Sequence, residues 1–394
     1  MGETVAQTPS QEKYSIVPVV LLALSALLGG AGFGIYAPTI VVHALELGAP
    51  EAIATAMVMA LPSILMLIVL LPIAIIADKT GRRKEIVSIG LLLGTVFNAL
   101  LATARTWVEL AAYRTISGVV FALTSLYMAM AIFVTPERLR GTALGILGGS
   151  MMLGMGVSQL FAGAILGLVG GYSGLYLFAA VFSLLALLLL LPVKVPRVQL
   201  PAMRASDIAT VFKARGVYWT AIAICVYLIG WNLMYPSLPL VLSVIYKAPP
   251  EIYTLAMGVA SLMLGIGTYV WGPVIDKLGG RRTLITAITA SAITTYIMFP
   301  ALGSMWAYTI LFWLVTFFGV VGAPGTSYVA SKSVKPELVS VAVSAMFIAI
   351  SVASIVGGFT AGALIASLGL ATTILIAATI ELLGGIMMFG LPKV

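Results

Sequence analysis

Two ionisable side chains lie inside long apolar runs of the chain, where charge is scarce. Arg114 interrupts the run 108–134, and Glu381 lies within the run from about 370 to 391. At the centre of a membrane helix an arginine costs about 2.5–3.5 kcal/mol on insertion scales, so a buried ionisable residue is a functional candidate by default. Both residues are therefore candidates for coupling solute binding to the movement of charge or protons.

Two interpretations of Arg114 are open. In the first, its guanidinium faces a central cavity and binds an anionic group or tunes a nearby proton carrier. In the second, it donates hydrogen bonds to backbone carbonyls between helices and acts as a fixed strut. Glu381 is similarly ambiguous, because it either carries protons or pairs with polar neighbours for structural reasons.

A second set of charged residues occupies two similar loops. One reads Asp78-Lys-Thr-Gly-Arg-Arg and the other reads Asp276-Lys-Leu-Gly-Gly-Arg-Arg. Charge pairs at an aqueous surface are worth about 1 kcal/mol or less, so several can break and re-form within one working cycle. The loops are thus suited to a reversible gate, and the alternative is that they only fix topology. The gate candidates in them are Asp78, Gly81, Arg82, Asp276, Gly279, Arg281 and Arg282.

The composition places these residues in a membrane protein. Of 394 residues, 61% are hydrophobic and 9% are charged, against about 25% charged residues in soluble domains. The mean hydropathy is +1.15. These values exclude a soluble enzyme, a nucleic-acid-binding domain and a disordered chain. One cysteine and one histidine exclude an intrachain disulfide and the usual zinc or haem sites, so we expect no cofactor and no metal.

Apolar runs long enough to cross a bilayer, about 20 residues, occur twelve times. They cover approximately 16–42, 52–77, 86–104, 108–134, two runs within 141–193, 217–246, 252–275, 283–301, 306–331, 338–367 and 370–391. With the N-terminus in the cytoplasm, eighteen of the 21 basic residues lie on the cytoplasmic side, as the positive-inside rule requires. We expect a multi-pass protein of the cytoplasmic membrane, inner or plasma, with both termini cytoplasmic and no nucleic-acid partner.

The twelve spans divide into two halves that repeat. The predicted parts are an N-terminal cytoplasmic tail at 1–15, a first six-helix bundle at 16–192, a polar cytoplasmic linker at 193–216 with a short helix at 206–215, and a second bundle at 217–394. Asp78 and Asp276 are 198 positions apart, and Pro50-Glu51 recurs 200 positions later as Pro250-Glu251. Repeats at nearly one offset indicate a duplicated unit.

These features resemble the major facilitator superfamily, in which Gly-x-x-x-Asp-Lys-x-Gly-x-Arg-Arg follows the second and eighth spans. The first copy departs from that pattern with Ala74, and the second keeps Gly272. Arg114-Thr-Ile-Ser-Gly118 is similar to the family's fourth-helix motif, Arg-x-x-x-Gly. The resemblance implies an all-α membrane protein with twelve transmembrane helices in two pseudo-symmetric six-helix bundles, whose midplane site opens alternately to either side. It also implies that Glu137 and Arg140 join the cytoplasmic gate.

The seventh span carries an aromatic stripe that is a candidate for a solute-facing surface. Tyr227, Trp231 and Tyr235 follow i, i+4 spacing and share one face. The alternative is that this stripe packs against other helices or faces lipid. The resemblance implies that spans one, four, seven and ten line the cavity, and Gln159 in span five is a further buried polar side chain. The cavity candidates are Phe33, Tyr36, Arg114, Gln159, Tyr227, Trp231, Asn232, Tyr235, Trp313 and Thr316.

We expect a secondary active or facilitative transporter that moves a small organic solute by alternating access. An aromatic, nearly uncharged cavity favours efflux of lipophilic compounds, and the alternative is a proton-coupled or passive carrier of a sugar or organic anion. A solute sensor with a transporter fold is the alternative from another class. An enzyme is not expected, because the apolar runs hold no carboxylate pair or metal-ligand cluster. The expected partners are the solute, the bilayer and, in the coupled case, protons; we expect a monomer.

Overall fold

The computed structural model describes residues 16–136, 140–198, 205–335 and 338–392, and their regular secondary structure is helical. The first half contains six spans, several of which are divided into shorter helices. They are span 1 (Val17–Gly34 and Ile40–Glu46), span 2 (Glu51–Ala56 and Ala60–Thr80), span 3 (Arg83–Leu101), span 4 (Trp107–Ser117, Val119–Ala122 and Thr124–Val134), span 5 (Arg140–Leu168) and span 6 (Tyr172–Leu190).

The second half follows a short helix, Ala205–Lys213, which lies in the predicted linker. Its spans are span 7 (Arg215–Met234, Ser237–Leu240 and a π-helical turn, Val241–Ile245), span 8 (Pro250–Leu278), span 9 (Gly280–Met298), span 10 (Met305–Gly319 and Gly322–Lys332), span 11 (339–368) and span 12 (370–387). Spans 11 and 12 form one helical run, Val339–Met387, that turns at Gly369, where φ is 79° and ψ is 163°. This backbone conformation is accessible to glycine and strained for other residues.

Nine helices in the described ranges are long and apolar enough to cross a membrane. The helical run that turns at Gly369 counts once among them but contains two spans. Span 4 is divided into short helices, and span 9 is rich in threonine, which lowers its hydropathy. The helices are therefore consistent with the twelve predicted spans.

Prolines mark the breaks in spans 1 and 2, because proline has no N–H to donate. In span 1 the N–H of residue 38 is missing, and the carbonyl of Gly34 accepts the N–H of Ala37 at 3.1 Å instead. In span 2 Pro62 stands where the donor to the Val58 carbonyl would be. Spans 1 and 2 of the first half are therefore each interrupted near a proline, where the regular pattern of helical hydrogen bonds to backbone carbonyls is lost.

The hydrophobic core is continuous between the halves at one end of the bundle and divided at the other. We call the end where the linker lies the linker end, and the opposite end the far end. At the far end, one cluster of buried side chains includes Tyr36, Met57, Met257 and Ala361, so it joins both halves. Towards the linker end the largest clusters belong to separate halves, one around Leu91 and Met130 of the first half and one around residues 284–288 of the second.

The linker itself is fastened to the first half. Nη1 of Arg83 donates to the Val198 carbonyl at 2.7 Å. Nζ of Lys84 donates to the Leu191 carbonyl, and Arg197 forms an ion pair with Glu85, each at 2.5 Å. The segment that follows span 6 is therefore held on the first turn of span 3.

Candidate functional site

The two halves meet at the far end in what we call the far-end seam, formed by spans 2 and 5 of the first half and spans 8 and 11 of the second. Two of its hydrogen bonds join spans 5 and 8. The Gly163 N–H donates to Oγ1 of Thr254 at 3.0 Å, and Oγ of Ser261 donates to Oε1 of Gln159 at 2.6 Å. Each of these bonds joins neutral groups, so the halves can separate without leaving a charge unpaired.

Glycines bring the helices of the seam into backbone contact. A Cβ added at Gly163 would lie 2.5 Å from Cα and N of Glu251, and one at Gly258 would lie 2.6 Å from N of Leu160. Carbon atoms in ordinary contact are about 3.5–4.0 Å apart. The seam therefore closes only because these positions carry no side chain.

The second part of the seam joins spans 2 and 11. Oγ1 of Thr55 donates to the Gly358 carbonyl at 3.0 Å. A Cβ at Gly358 would lie 2.6 Å from Cβ of Ala60, and one at Gly362 would collide with the backbone of Glu51. Gly358 and Gly362 are four positions apart, a small-xxx-small pattern typical of close helix packing in membranes. The sequence reasoning missed this signal.

Arg114 is completely buried and lies where the breaks of spans 1 and 2 come together. Its Nε donates to the Met57 carbonyl at 2.8 Å, and its Nη2 donates to the Val58 carbonyl at 2.8 Å. Its Nη1 donates to Oη of Tyr36 at 2.7 Å. The ring of Phe33 covers the guanidinium carbon at 4.3 Å. These contacts are those of the strut alternative.

The hydrogen bonds of Arg114 leave it little capacity for a ligand. A guanidinium has five N–H donors, and Met57, Val58 and Tyr36 take three of them. A fourth lies 3.5 Å from Oγ of Ser117. Tyr36 continues the network, because its hydroxyl donates to Oδ1 of Asn98 at 3.2 Å.

The predicted aromatic stripe of span 7 contacts different neighbouring spans along its length. Trp231 and Tyr235 stack with ring centroids 4.4 Å apart. Oη of Tyr227 instead lies 3.0 Å from Oγ of Ser291 on span 9, inside the second half. A stripe at i, i+4 spacing is broad enough to contact more than one neighbouring helix. Nδ2 of Asn232 donates to the Leu228 carbonyl in its own helix at 2.8 Å.

The span 10 candidates bond within the second half. Nε1 of Trp313 donates to the Ala256 carbonyl of span 8 at 2.8 Å. Oγ1 of Thr316 donates to the Trp313 carbonyl at 2.8 Å. In the first half, Phe33 lines a small apolar cavity of about 30 Å³ together with Leu91 and Met151, which is room for about one or two water molecules.

Glu381 is completely buried between spans 7, 9 and 12. Its Oε2 accepts a hydrogen bond from Oγ1 of Thr295 at 2.9 Å and lies 3.3 Å from Oγ of Ser291. Oε1 has no hydrogen-bond partner in the described structure. The Tyr227 hydroxyl extends this group through Ser291. The hydroxyls that surround the carboxyl group can donate to it or accept from it.

The loop residues predicted as a gate are only partly described. Glu137 lies outside the described residues. Asp78 and Arg140 lie in helices, but their side chains are outside what the structure describes. Arg82, Asp276 and Arg282 are exposed, and Gly81 and Gly279 end their helices with φ of 68° and 81°.

Arg281 contacts the end of its own half. Its Nη2 donates to the Phe389 carbonyl, just after span 12, at 2.5 Å. In the first half, Lys84 makes the corresponding contact to the Leu191 carbonyl just after span 6. In each half, a described contact thus connects the predicted gate region with the end of the last span of the same half. Contacts between the halves at the gate stay a prediction.

No group of three His, Cys, Asp or Glu side chains within the described ranges is placed to hold a metal ion. The buried polar groups of interest are the seam, the Arg114 junction and the Glu381 cluster.

Comparison with known proteins places these groups in a family context. The profile described as Major Facilitator Superfamily matches residues 22–229 and 220–394. Citrate exporter 1 of Aspergillus niger is 32% identical over 120 residues, which are 29% of this chain and 22% of that protein. The matched stretch therefore spans about a fifth of that relative's length.

Solved structures share the fold over nearly the whole chain. A bacterial homologue of the human lysosomal transporter Spinster, inward-facing and occupied, has a TM-score of 0.77 at 15% identity and covers 96% of this chain and 97% of its own. The xylose transporter XylE from E. coli, in a partially occluded inward-open conformation, has a TM-score of 0.75 at 16% identity, with 97% and 99% covered. At these identities the likeness establishes the fold.

Proposed function

Because the chain belongs to the Major Facilitator Superfamily, we propose that it is a secondary transporter that moves a small organic solute across the cytoplasmic membrane by alternating access. The observation that carries the proposal is the division of the core. Buried side chains join the halves at the far end, whereas the largest clusters towards the linker end each belong to one half. Two rigid halves that meet at one end form the unit that a rocking mechanism needs.

The linker end is the cytoplasmic end in this proposal. Most basic side chains lie on that side, in agreement with the positive-inside rule. A bundle closed at the far end is then in an inward-facing state. The similar structures support this assignment, because the Spinster homologue is in an inward-facing conformation and XylE is in a partially occluded inward-open conformation.

The solute is a small organic molecule, and export of an organic acid is the first class to test. The support is the stretch of 120 residues similar to a citrate exporter. A lipophilic solute is the second candidate, favoured by the stacked rings of Trp231 and Tyr235. Arg114 contributes little to anion binding in either case, because Met57, Val58 and Tyr36 already take its donors.

Glu381 is the proton-coupling residue of the proposal. No basic side chain forms an ion pair with it in the described structure. A carboxyl group without a cation partner in an apolar interior is stable when neutral. Thr295 Oγ1 has two acceptors in reach, the Ser291 carbonyl at 3.1 Å and Oε2 of Glu381 at 2.9 Å. When this hydroxyl donates to the carbonyl, its oxygen can accept a hydrogen bond from the protonated carboxyl group of Glu381, so the cluster accommodates both protonation states.

The test is solute binding followed by flux. Purified protein is screened by thermal shift against mono-, di- and tricarboxylates, sugars and lipophilic cations, and each hit is measured in proteoliposomes with and without a pH gradient. Binding with solute-dependent flux supports transport. Binding without flux under any gradient would favour the solute sensor, and flux that ignores the pH gradient would remove proton coupling.

A further inference from the structure

Spans 1 and 2 are connected at the far end by a helical hairpin with a break at each base. The hairpin consists of the helices Ile40–Glu46 and Glu51–Ala56 with residues 47–50 between them. Its bases are the turns at 35–39 and 57–59. We call residues 40–56 the far-end hairpin. Because both connections to the rest of the first half are turns that interrupt the regular helix, the position of the hairpin depends on the contacts made at its bases.

The break in span 2 leaves acceptors that the helix does not satisfy. Pro62 has no N–H for the Val58 carbonyl. The described backbone hydrogen bonds include one from the Ser63 N–H to the Met59 carbonyl and none to the carbonyls of Met57 and Val58. A carbonyl left without a donor in an apolar interior is destabilising. Nη2 and Nε of Arg114 donate to the carbonyls of Val58 and Met57, each at 2.8 Å. The guanidinium thus supplies the donors that this break requires.

The same guanidinium also contacts the break in span 1. Tyr36 lies in that turn and accepts from Nη1 of Arg114 at 2.7 Å. Oη of Tyr36 then donates to Asn98 of span 3. One buried side chain of span 4 therefore ties together the two bases of the hairpin and, through Tyr36, a third span.

Gly118 lies one helical turn after Arg114 and packs directly against Pro62 at the break in span 2. A Cβ at Gly118 would lie 2.5 Å from Cα of Pro62 and 2.6 Å from its carbonyl oxygen. Span 4 therefore provides a donor for the carbonyls of the break and an opening for its proline. The Arg-x-x-x-Gly spacing places both on one face.

The second half provides an internal comparison. Span 8, the counterpart of span 2, is an unbroken helix, Pro250–Leu278. Span 10, the counterpart of span 4, contains no arginine. The second half, in which span 8 is continuous, thus lacks the arginine. The first half, in which span 2 is broken, has it.

The far-end hairpin supplies part of the first half's contacts to span 11, beside that of Ala60. Thr55 donates to the Gly358 carbonyl, and Glu51 lies against Gly362. We propose that Arg114 is a positioning residue that fastens both bases of the far-end hairpin and thereby sets the closed position of the seam. The inference concerns the hairpin and does not depend on which solute is carried.

The test is hydrogen–deuterium exchange of the protein in lipid nanodiscs, without added solute. In Arg114→Met we expect amides of residues 35–59 to exchange about tenfold faster or more, because charge-assisted hydrogen bonds to both bases are lost. Amides of span 9, which is not part of the seam, should keep the exchange of the original protein. The matched control is Arg83→Met, which removes another fully buried arginine, near the linker; its far-end hairpin should exchange normally.

A rescue variant separates this role from general destabilisation. Pro62→Ala restores the N–H that the Val58 carbonyl lacks, so it should slow hairpin exchange in the Arg114→Met background. An additive effect of the two substitutions would mean that Arg114 does not act on the break. Hairpin exchange in Arg114→Met equal to that of the original protein would overturn the proposal outright.

Two milder variants keep the test decisive if Arg114→Met does not fold. Tyr36→Phe removes the tie to span 1 alone, and we expect about threefold faster exchange at 35–46 from the loss of one hydrogen bond, with 57–59 unchanged. Arg114→Lys keeps the charge but cannot bond both carbonyls as a planar fork does. If neither variant speeds exchange in its part of the hairpin, the proposed positioning role is wrong.

Discussion

A leucine at Gly163 should prevent closure of the far-end seam. The first atom of the new side chain would lie 2.5 Å from Cα and N of Glu251. That is about 1 Å or more inside ordinary contact, and both opposing atoms belong to the backbone, so no rotamer relieves the overlap. The helices of spans 5 and 8 must therefore move apart.

The expected size follows from the cost of overpacking, about 1–3 kcal/mol in well-packed cores. Because about 1.4 kcal/mol corresponds to a factor of ten in an equilibrium constant, the ratio of closed to open seams should fall between about fivefold and a hundredfold. If the halves move as rigid bodies, the opening at span 5 must also open the contact between spans 2 and 11.

The assay reads that distant contact. Thr55 is buried and bonded to Gly358, so Thr55→Cys is introduced together with Cys225→Ser, which removes the natural thiol. Labelling by a membrane-impermeant maleimide is measured with and without Gly163→Leu. We expect labelling to accelerate by about the same fivefold to hundredfold, because the open fraction controls access.

Gly167→Leu is the matched control. Gly167 lies one turn further along the same helix, and nothing approaches the position of its Cβ within 4 Å. It should leave labelling at Thr55→Cys unchanged. Equal labelling rates for Gly163→Leu and Gly167→Leu, in protein that is folded, would refute rigid-body coupling of the two parts of the seam.

Three further outcomes are expected. Glu381→Gln should keep folding while solute flux loses its response to a pH gradient by about tenfold, because the amide cannot exchange a proton; flux in proteoliposomes checks this, and an unchanged response excludes Glu381. Met152→Cys with Gly265→Cys should form a disulfide on mild oxidation, since Cβ of Met152 lies 3.6 Å from the Cβ position at Gly265; a shift on gel electrophoresis after cleavage between the halves detects it. Arg197→Ala should change the free energy of unfolding by less than about 1 kcal/mol, since its partner carboxylate is exposed; chemical denaturation would expose a larger role.

The membrane fold could be predicted because its signals are local. Apolar runs are long, charges interrupt them, and the halves repeat at nearly one offset. The Arg114 junction could not be predicted in the same way. The sequence left two interpretations of Arg114 open, a cavity residue or a strut. The contacts that distinguish them are to carbonyls 56 and 57 positions away in the chain. The signal that could have helped was Pro62, which creates an acceptor without a donor.

The aromatic stripe illustrates a second limit. Helical spacing correctly grouped Trp231 with Tyr235, whose rings stack. It also grouped them with Tyr227, whose hydroxyl lies against Ser291 within the second half. Helical spacing predicts that the three rings share one face of span 7. Partners on other spans decide what each ring contacts. Such partners come from distant positions, so the sequence alone leaves the cavity residues as predictions.

The two ends of the bundle should respond differently to the ionic strength of the surrounding solution, because their contacts differ in charge. The described bonds of the far-end seam join neutral groups, whereas arginine and lysine side chains cluster around the linker end. Dissolved ions weaken attraction between exposed charges and leave neutral, water-excluded contacts nearly unaffected. Ionic strength on the linker side should therefore alter one opening of the pathway with little effect on the other.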